Sequence, residues 1–326
     1  MRYLITGGAG FVGSNLTRAL QERHPGAELL IVDDFRLGTF ANLSVEGDHA
    51  SGGWSYRGEV IAGALHELDL TSLIGDFKPN VVFHEASVTD TTVTDEAVMV
   101  RDNVEPFDEL VELCVKQNIT LVWASSAATY GTAANGATGA RRPFALEDAG
   151  RPANVYGFSK WVMENIHRKA LANHPAAHLV GLRYFNVFGP GEQHKGKMAS
   201  MVHQLALQML SGQRPRIFSP GNQARDQVYV KDVVGCTLAA AQDGAASGIY
   251  NCGSGRATSF NQIVTALNAA LGTDYTPDYF ENPFDFYQDY TRADLTQTAA
   301  GLGWEPVYST QDAIVEYAQM LRATRA

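Results

Sequence analysis

The sequence predicts an α/β protein, a doubly wound parallel sheet followed by a smaller mixed α/β lobe. Short apolar runs rich in Val, Leu and Ile recur at 3–6, 29–32, 81–83, 121–124 and 179–184. They do not alternate with polar residues, as expected of parallel strands buried on both faces. Stretches of helical spacing separate them at 13–23, 103–117 and 155–172. The turn between the first strand and the first helix is rich in glycine, which completes the pattern of a nucleotide-binding α/β unit.

Taken in order, residues 3–6 form the first strand and pass directly into glycines. The helix over 13–23 then leads to the strand over 29–32, which ends in two aspartates, Asp33 and Asp34. The strands over 81–83, 121–124 and 179–184 extend the sheet, with the helices over 103–117 and 155–172 between them. Past residue 185 the alternation weakens into Pro/Gly turns and short helices. Residues 1–184 therefore read as a dinucleotide-binding domain and 185–326 as a substrate-binding lobe. Segments 228–230 and 249–252 are expected to return to the first unit. The Gly/Ala-rich tract at 131–140 reads as a surface loop.

With 326 residues, 45% of them hydrophobic, the chain can bury a large core. Its formal net charge of −10 argues against nucleic acid or an anionic membrane as main partner. Three dispersed cysteines, Cys114, Cys236 and Cys252, form no CxxC pair, so neither a zinc site nor a disulfide scaffold is expected. No apolar run reaches the ~18 residues of a membrane span. The first residues lack the pattern of a signal peptide. A cytoplasmic protein is expected.

Gly7, Gly10 and Gly13 have the GxxGxxG spacing. Without side chains there, a pyrophosphate approaches the backbone, and the helix N-terminus offers it free N–H groups. Spacing alone is weak evidence; its position between the first strand and the first helix strengthens it. Asp33, about 20 residues past Gly13, is placed to accept an adenosine ribose 2′-hydroxyl. Arg36 is placed to pair with a 2′-phosphate. The two point in opposite directions, toward NAD and NADP respectively.

Tyr156 and Lys160 are four residues apart and share a helix face. An ammonium beside a phenol favours the phenolate, which can take a proton from a hydroxyl. A YxxxK pair by itself also suits a helix surface. Upstream, the strand over 121–124 runs into Ser125 and Ser126, and Ser126 is placed to hold a reacting alcohol or ketone oxygen. Alone, such a serine more often bonds backbone at a strand end.

Together the glycine turn, Ser126, Tyr156 and Lys160 resemble the extended short-chain dehydrogenase/reductase family, the sugar-nucleotide epimerases and dehydratases with a Rossmann domain. The likeness runs over nearly the whole chain. Several segments resemble its ADP-L-glycero-D-manno-heptose 6-epimerase branch more narrowly, above all HEASVTDTT at 84–92 and HKGKMAS at 194–200. The resemblance implies Tyr156 and Lys195 as proton acceptors on opposite faces of one carbon. It implies Lys160 at the nicotinamide ribose and Ser126 at the reacting oxygen. Phe11 and Val12 would sit at the pyrophosphate, with Asp33 and Asp34 at the adenosine ribose. Glu85, Ala86, Ser87, Val88 and Thr89 would run along the cofactor, with Asp102 and Val187 near it. Asn186, Lys197, Gln204, Phe218, Ser219, Pro220, Gly221, Arg225 and Tyr287 would meet the substrate.

The implied reaction oxidises C6 of ADP-D-glycero-D-manno-heptose to a ketone and re-reduces it from the other face. The cofactor would be NADP, with NAD as the alternative. The resemblance further implies heptose supply for the lipopolysaccharide inner core and a homo-oligomer, a pentamer among its forms. Four positions depart from the pattern. Asp102 stands where an Asn is expected, and Phe40 where a lysine often meets a 2′-phosphate. Lys197 replaces a Ser, and Gln204, beside His203, replaces a His. A UDP-hexose 4-epimerase would share everything except the second base, Lys195. A dehydratase fits less well, because Ala127 and Ala128 follow Ser126 where acidic residues would be needed. A non-catalytic nicotinamide sensor would be expected to have lost Tyr156 or Lys160.

Overall fold

Residues 1–45, 53–131, 141–283 and 289–324 are described by the structure, a computed structural model. Strand β1 (Arg2–Thr6) leads through the glycine turn into α1 (Phe11–Arg23). Then follow β2 (Glu28–Asp33), β3 (Glu59–Ala62), α2 (Leu70–Phe77) and β4 (Val81–His84). Helix α3 (Glu105–Gln117), β5 (Thr120–Ser126), α4 (Val155–Asn173) and β6 (Leu179–Tyr184) continue the alternation. The chain then forms β7 (Asn186–Phe188), α5 (Met201–Leu210), β8 (Arg216–Phe218), β9 (Ala224–Arg225) and β10 (Gln227–Tyr229). Last come α6 (Val230–Ala240), β11 (Gly248–Cys252), α7 (Phe260–Leu271) and α8 (Thr310–Ala323).

Seven strands make one parallel sheet in the order β11-β6-β5-β4-β1-β2-β3. The chain winds outward from β1 in one direction and from β4 in the other. The crevice between the C-terminal ends of these two strands is where such sheets bind ligands. Both faces of the sheet are buried because successive side chains alternate. Tyr3, Ile5, Leu29 and Ile31 join Leu16 and Leu20 of α1 in one core. Leu4, Leu30 and Val32 join Ile74, Phe107 and Met163 of α2, α3 and α4 in the other. Each buried aliphatic side chain contributes roughly 1.5–3 kcal/mol.

Edge strand β3 was not foreseen. Its residues are mostly exposed, so it lacks the apolar run that marks the inner strands. Segment 249–252 does return to the sheet, as β11 beside β6. Segment 228–230 does not. Its strand β10 pairs instead with β7, outside the main sheet. A third core of Phe188, Leu205, Ile217, Ile263, Ile314 and Tyr317 lies between α5, α7 and α8. Among the described residues no helix is long and apolar enough to cross a membrane. The tract at 132–140 lies outside the described residues.

Candidate active site

A cavity of about 780 Å³ opens at the C-terminal ends of the sheet strands. Gly7, Gly10, Phe11, Val12 and Gly13 line its floor. Gly7 has φ 69°, and a Cβ there would lie 2.6 Å from Ala86 N. A Cβ on Gly13 would lie 2.1 Å from Gly7 O. Only glycine allows this closeness of turn, helix and the β4 loop. No side chain caps α1 at Gly10, so the helix N-terminus keeps donors for an anion at the cavity floor. These features fit the pyrophosphate of a dinucleotide.

Asp33 ends β2. Its carboxylate accepts N–H bonds from Ala9 and Phe35, both at 2.9 Å. Burial pushes its pKa up, and these donors only partly oppose the rise. Arg36 bonds the Asp34 carboxylate through Nε and that of Asp102 through Nη1, the latter at 2.6 Å. Phe40 is 68% exposed and packs against Phe35, at 4.8 Å between ring centroids.

The loop after β4 carries Glu85, Ala86, Ser87, Val88 and Thr89 along the cavity wall. Asn103 pins it, accepting from Val88 N at 2.8 Å and donating to Val88 O at 3.2 Å and Ser159 Oγ at 3.1 Å. Asp102 and Asn103 lie in a π-helical turn, Val100–Val104, where the local i→i+5 pitch differs from that of the helix that follows.

At the far end, β5 delivers Ser126 and α4 delivers Tyr156 and Lys160. The Asn154 side chain caps α4, accepting from Gly157 N at 2.7 Å. Tyr156, Lys160, Met163, Glu164 and His167 form its buried stripe. Ser126 accepts from Ala128 N at 3.1 Å and hydrogen-bonds the Tyr156 hydroxyl. Burial pushes the Tyr156 phenol up, and the Ser126 bond opposes it. Lys160 is 1% exposed and donates to Ala124 O at 2.8 Å. The ammonium thus has a different partner from the phenolate expected from the sequence. Its charged neighbour is Glu85.

Burial lowers the Lys160 pKa to about 8 against the pull of Glu85. Burial likewise raises Glu85 to about 7, opposed by a 2.8 Å bond from the Tyr184 hydroxyl and by Lys160. Burial disfavours both charges, and each charge favours the other. Glu85→Gln is expected to lower the pH at which Lys160 loses its proton. An NMR titration of the Lys160 ε-methylene checks this; an unchanged midpoint contradicts it.

Lys195 sits on a short helix, Gln193–Met198, kinked at Gly196 with φ 54°. Its Nζ lies over the Phe11 ring, 5.4 Å from the centroid. Burial lowers its pKa, and Glu192 opposes the fall. Glu192 is fully buried and anchors the loop, accepting from Gly189 N at 3.0 Å, Ser200 N at 2.6 Å and Ser200 Oγ at 2.9 Å. Sequence reasoning passed over this residue; a lone glutamate in a loop carries no pattern. It also passed over Tyr184, which lines the cavity as the last residue of β6.

Asn186, Val187 and Arg225 line the cavity with Lys195. Lys197 is exposed and outside the lining. Gln204 donates to Lys197 O at 3.2 Å and Ala199 O at 2.7 Å, bracing the loop from behind. His203 is buried against the Tyr317 hydroxyl at 2.7 Å. Phe218, Ser219, Pro220 and Gly221 form a turn beyond the lining residues. Tyr287 lies outside the described residues. Among the described residues, no three His, Cys, Asp or Glu are grouped to hold a metal.

The family model for the NAD dependent epimerase/dehydratase family matches residues 3–253. The ADP-L-glycero-D-manno-heptose-6-epimerase of Helicobacter pylori is 35% identical, with TM-score 0.84, over 99% of this chain and 96% of that one. The UDP-glucose 4-epimerase of Thermotoga maritima, solved with UDP-glucose, is 26% identical, with TM-score 0.86, over all of both chains. The UDP-glucose 4-epimerase of Thermus thermophilus, solved with NAD, is 25% identical, with TM-score 0.80, over 99% of each. With its parallel sheet, its glycine turn and its Ser126–Tyr156 pair beside a buried Lys160, the chain belongs to the NAD dependent epimerase/dehydratase family.

Proposed function

We propose that the protein inverts C6 of ADP-D-glycero-D-manno-heptose, giving ADP-L-glycero-D-manno-heptose. One observation carries this reading: Lys195, from the loop after β7, lines the same cavity as Tyr156 and Ser126. A second proton-transfer group suits a reaction that handles both hydroxyl orientations at one carbon, since one fixed phenol reaches only one of them well. The segments at 84–92 and 194–200 support the heptose substrate, as does the likeness to the Helicobacter pylori enzyme. A UDP-hexose 4-epimerase is the second reading, favoured by the likeness to the Thermotoga maritima enzyme. It leaves Lys195 without a task.

A nicotinamide held in this cavity would supply hydride acceptance and return. The chain's own residues do the rest. Ser126 holds the reacting oxygen, Tyr156 and Lys195 exchange its proton from opposite sides, and Lys160 orients the cofactor ribose. Residues 1–184 serve the cofactor and 185–326 the substrate, with Asn186 and Arg225 contacting it. The family resemblance assigns Phe218, Ser219, Pro220, Gly221 and Tyr287 to its ADP portion and sugar. Engagement of Arg36 by two carboxylates supports NAD over the NADP first expected. A cytoplasmic homo-oligomer supplying heptose for a lipopolysaccharide core completes the reading.

Purified protein is expected to interconvert the two ADP-heptoses in a proton NMR assay. Turnover of a UDP-hexose with no change in the ADP-heptoses would replace this assignment with the second.

A further inference from the structure

We propose that the Asp102 carboxylate is a built-in occupant of the 2′-phosphate subsite and thereby makes the protein selective for NAD over NADP. The inference rests on the reading that the cavity holds a nicotinamide dinucleotide. At the adenosine end, beside Asp33 and Asp34, three side chains are suited to grip a phosphate: Arg36, Arg101 and His66. All three turn to one anion of the chain itself. Arg36 Nη1 reaches Asp102 Oδ2 at 2.6 Å, Arg101 Nε reaches Oδ1 at 2.7 Å, and His66 Nδ1 lies 3.5 Å from Oδ1.

The Asp102 side chain is 1% exposed, while those of Arg36 and Arg101 are about half exposed. The carboxylate is thus fixed inside and the cations are drawn down over it. It cannot readily withdraw. The π-helical turn holds it, and the next residue, Asn103, is bonded to both Val88 and Ser159. A side cavity of about 480 Å³ surrounds the cluster and shares Asp34, Arg36, His66 and Asp102 with the main one. There is room for a phosphate at this end, but the positive charge that would meet it is already paired with the chain's own carboxylates.

A 2′-phosphate carries roughly −1.5 to −2 charges at neutral pH. Here it would meet the carboxylates of Asp34 and Asp102 and guanidinium groups already paired with them. A 2′-hydroxyl brings no such charge. Removing the Asp102 charge while keeping its shape leaves Arg101 without a charged partner and Arg36 with Asp34 alone, which turns the cluster toward an anion.

The test is calorimetric titration of the full chain with NAD⁺ and NADP⁺. Wild type is expected to bind NAD⁺ more tightly. Asp102→Asn should raise NADP⁺ affinity relative to NAD⁺ roughly tenfold to a hundredfold, the factor one charge-assisted hydrogen bond supplies. Adding Arg36→Ala to Asp102→Asn should remove most of that gain. Circular dichroism checks the fold, and Asp102→Ser serves as a second neutral variant should Asp102→Asn not fold. An unchanged NADP⁺/NAD⁺ ratio with NAD⁺ binding intact overturns this proposal alone. So does a wild type that prefers NADP⁺. Binding of neither cofactor by wild type overturns the dinucleotide reading and this proposal with it.

Discussion

Tyr156→Phe should lower epimerisation by a factor of about 10²–10⁴, the usual worth of one positioned proton-transfer group. The ring is 8% exposed and keeps its packing without the hydroxyl. Ser126 keeps its bond from Ala128 N, so the site should stay assembled. Lys195→Met should lower the rate by a similar factor, because it keeps an unbranched side chain beside Phe11 while the charge over that ring is gone. Dinucleotide binding should survive in both, since the glycine turn and Asp33 are untouched. The measurement is epimerisation by NMR beside dinucleotide affinity by calorimetry. Full activity in Lys195→Met would remove that residue from the mechanism. Loss of cofactor binding in Tyr156→Phe would make its role structural.

Glu164→Gln should cost about 3–5 kcal/mol of stability, the penalty for leaving one partner of a buried ion pair uncompensated. Glu164 and Arg183 are 0% and 1% exposed. Arg183 Nε and Nη2 meet the two carboxylate oxygens at 2.7 and 2.8 Å. Ser125 Oγ adds a 2.8 Å bond and Arg168 one of 2.6 Å. Arg183 also donates to Tyr130 Oη at 2.9 Å and Leu146 O at 2.8 Å. The network ties β5, α4 and β6 directly beneath Ser126 and Lys160. The midpoint of urea unfolding measures the loss; a shift worth under about 1 kcal/mol would mean the site relaxes or admits water.

The pH dependence of this pair has a definite sign. Burial pushes the Glu164 carboxyl up, but the bond and charge of Arg183, with the Ser125 bond and the Arg168 charge, together outweigh it and hold it below the ordinary range. A depressed folded pKa contributes stability above the unfolded carboxyl pKa of about 4.3. That contribution disappears as pH falls through the lower folded value. Wild type should therefore lose stability on acidification below about pH 4 in a component that Glu164→Gln lacks.

Strands β1, β2, β4, β5 and β6 were legible because each is a short apolar run buried on both faces. Edge strand β3 was not, since one neighbour and little burial impose no pattern. Helix α4 was legible through Tyr156 and Lys160, which four-residue spacing puts on one face. The partner of Lys160 was not. Glu85 comes from a loop 75 residues away in the chain, brought near by the sheet order alone. Arg36, three residues past Asp33, read as a partner for a 2′-phosphate. Its tie to Asp102 spans 66 residues and depends on the π-helical turn.

Local spacing and burial periodicity determined the parallel sheet, the glycine turn and the candidate acid–base residues, because these are nearest-neighbour properties of the chain. Tertiary structure decided which charges meet. It brought Lys195 into the cavity and left Lys197 outside, although one glycine separates them. The kink at Gly196 points them differently, and the buried Glu192 anchors the loop that holds Lys195 over Phe11. Such pairings depend on distances between elements remote in sequence, which no local pattern encodes.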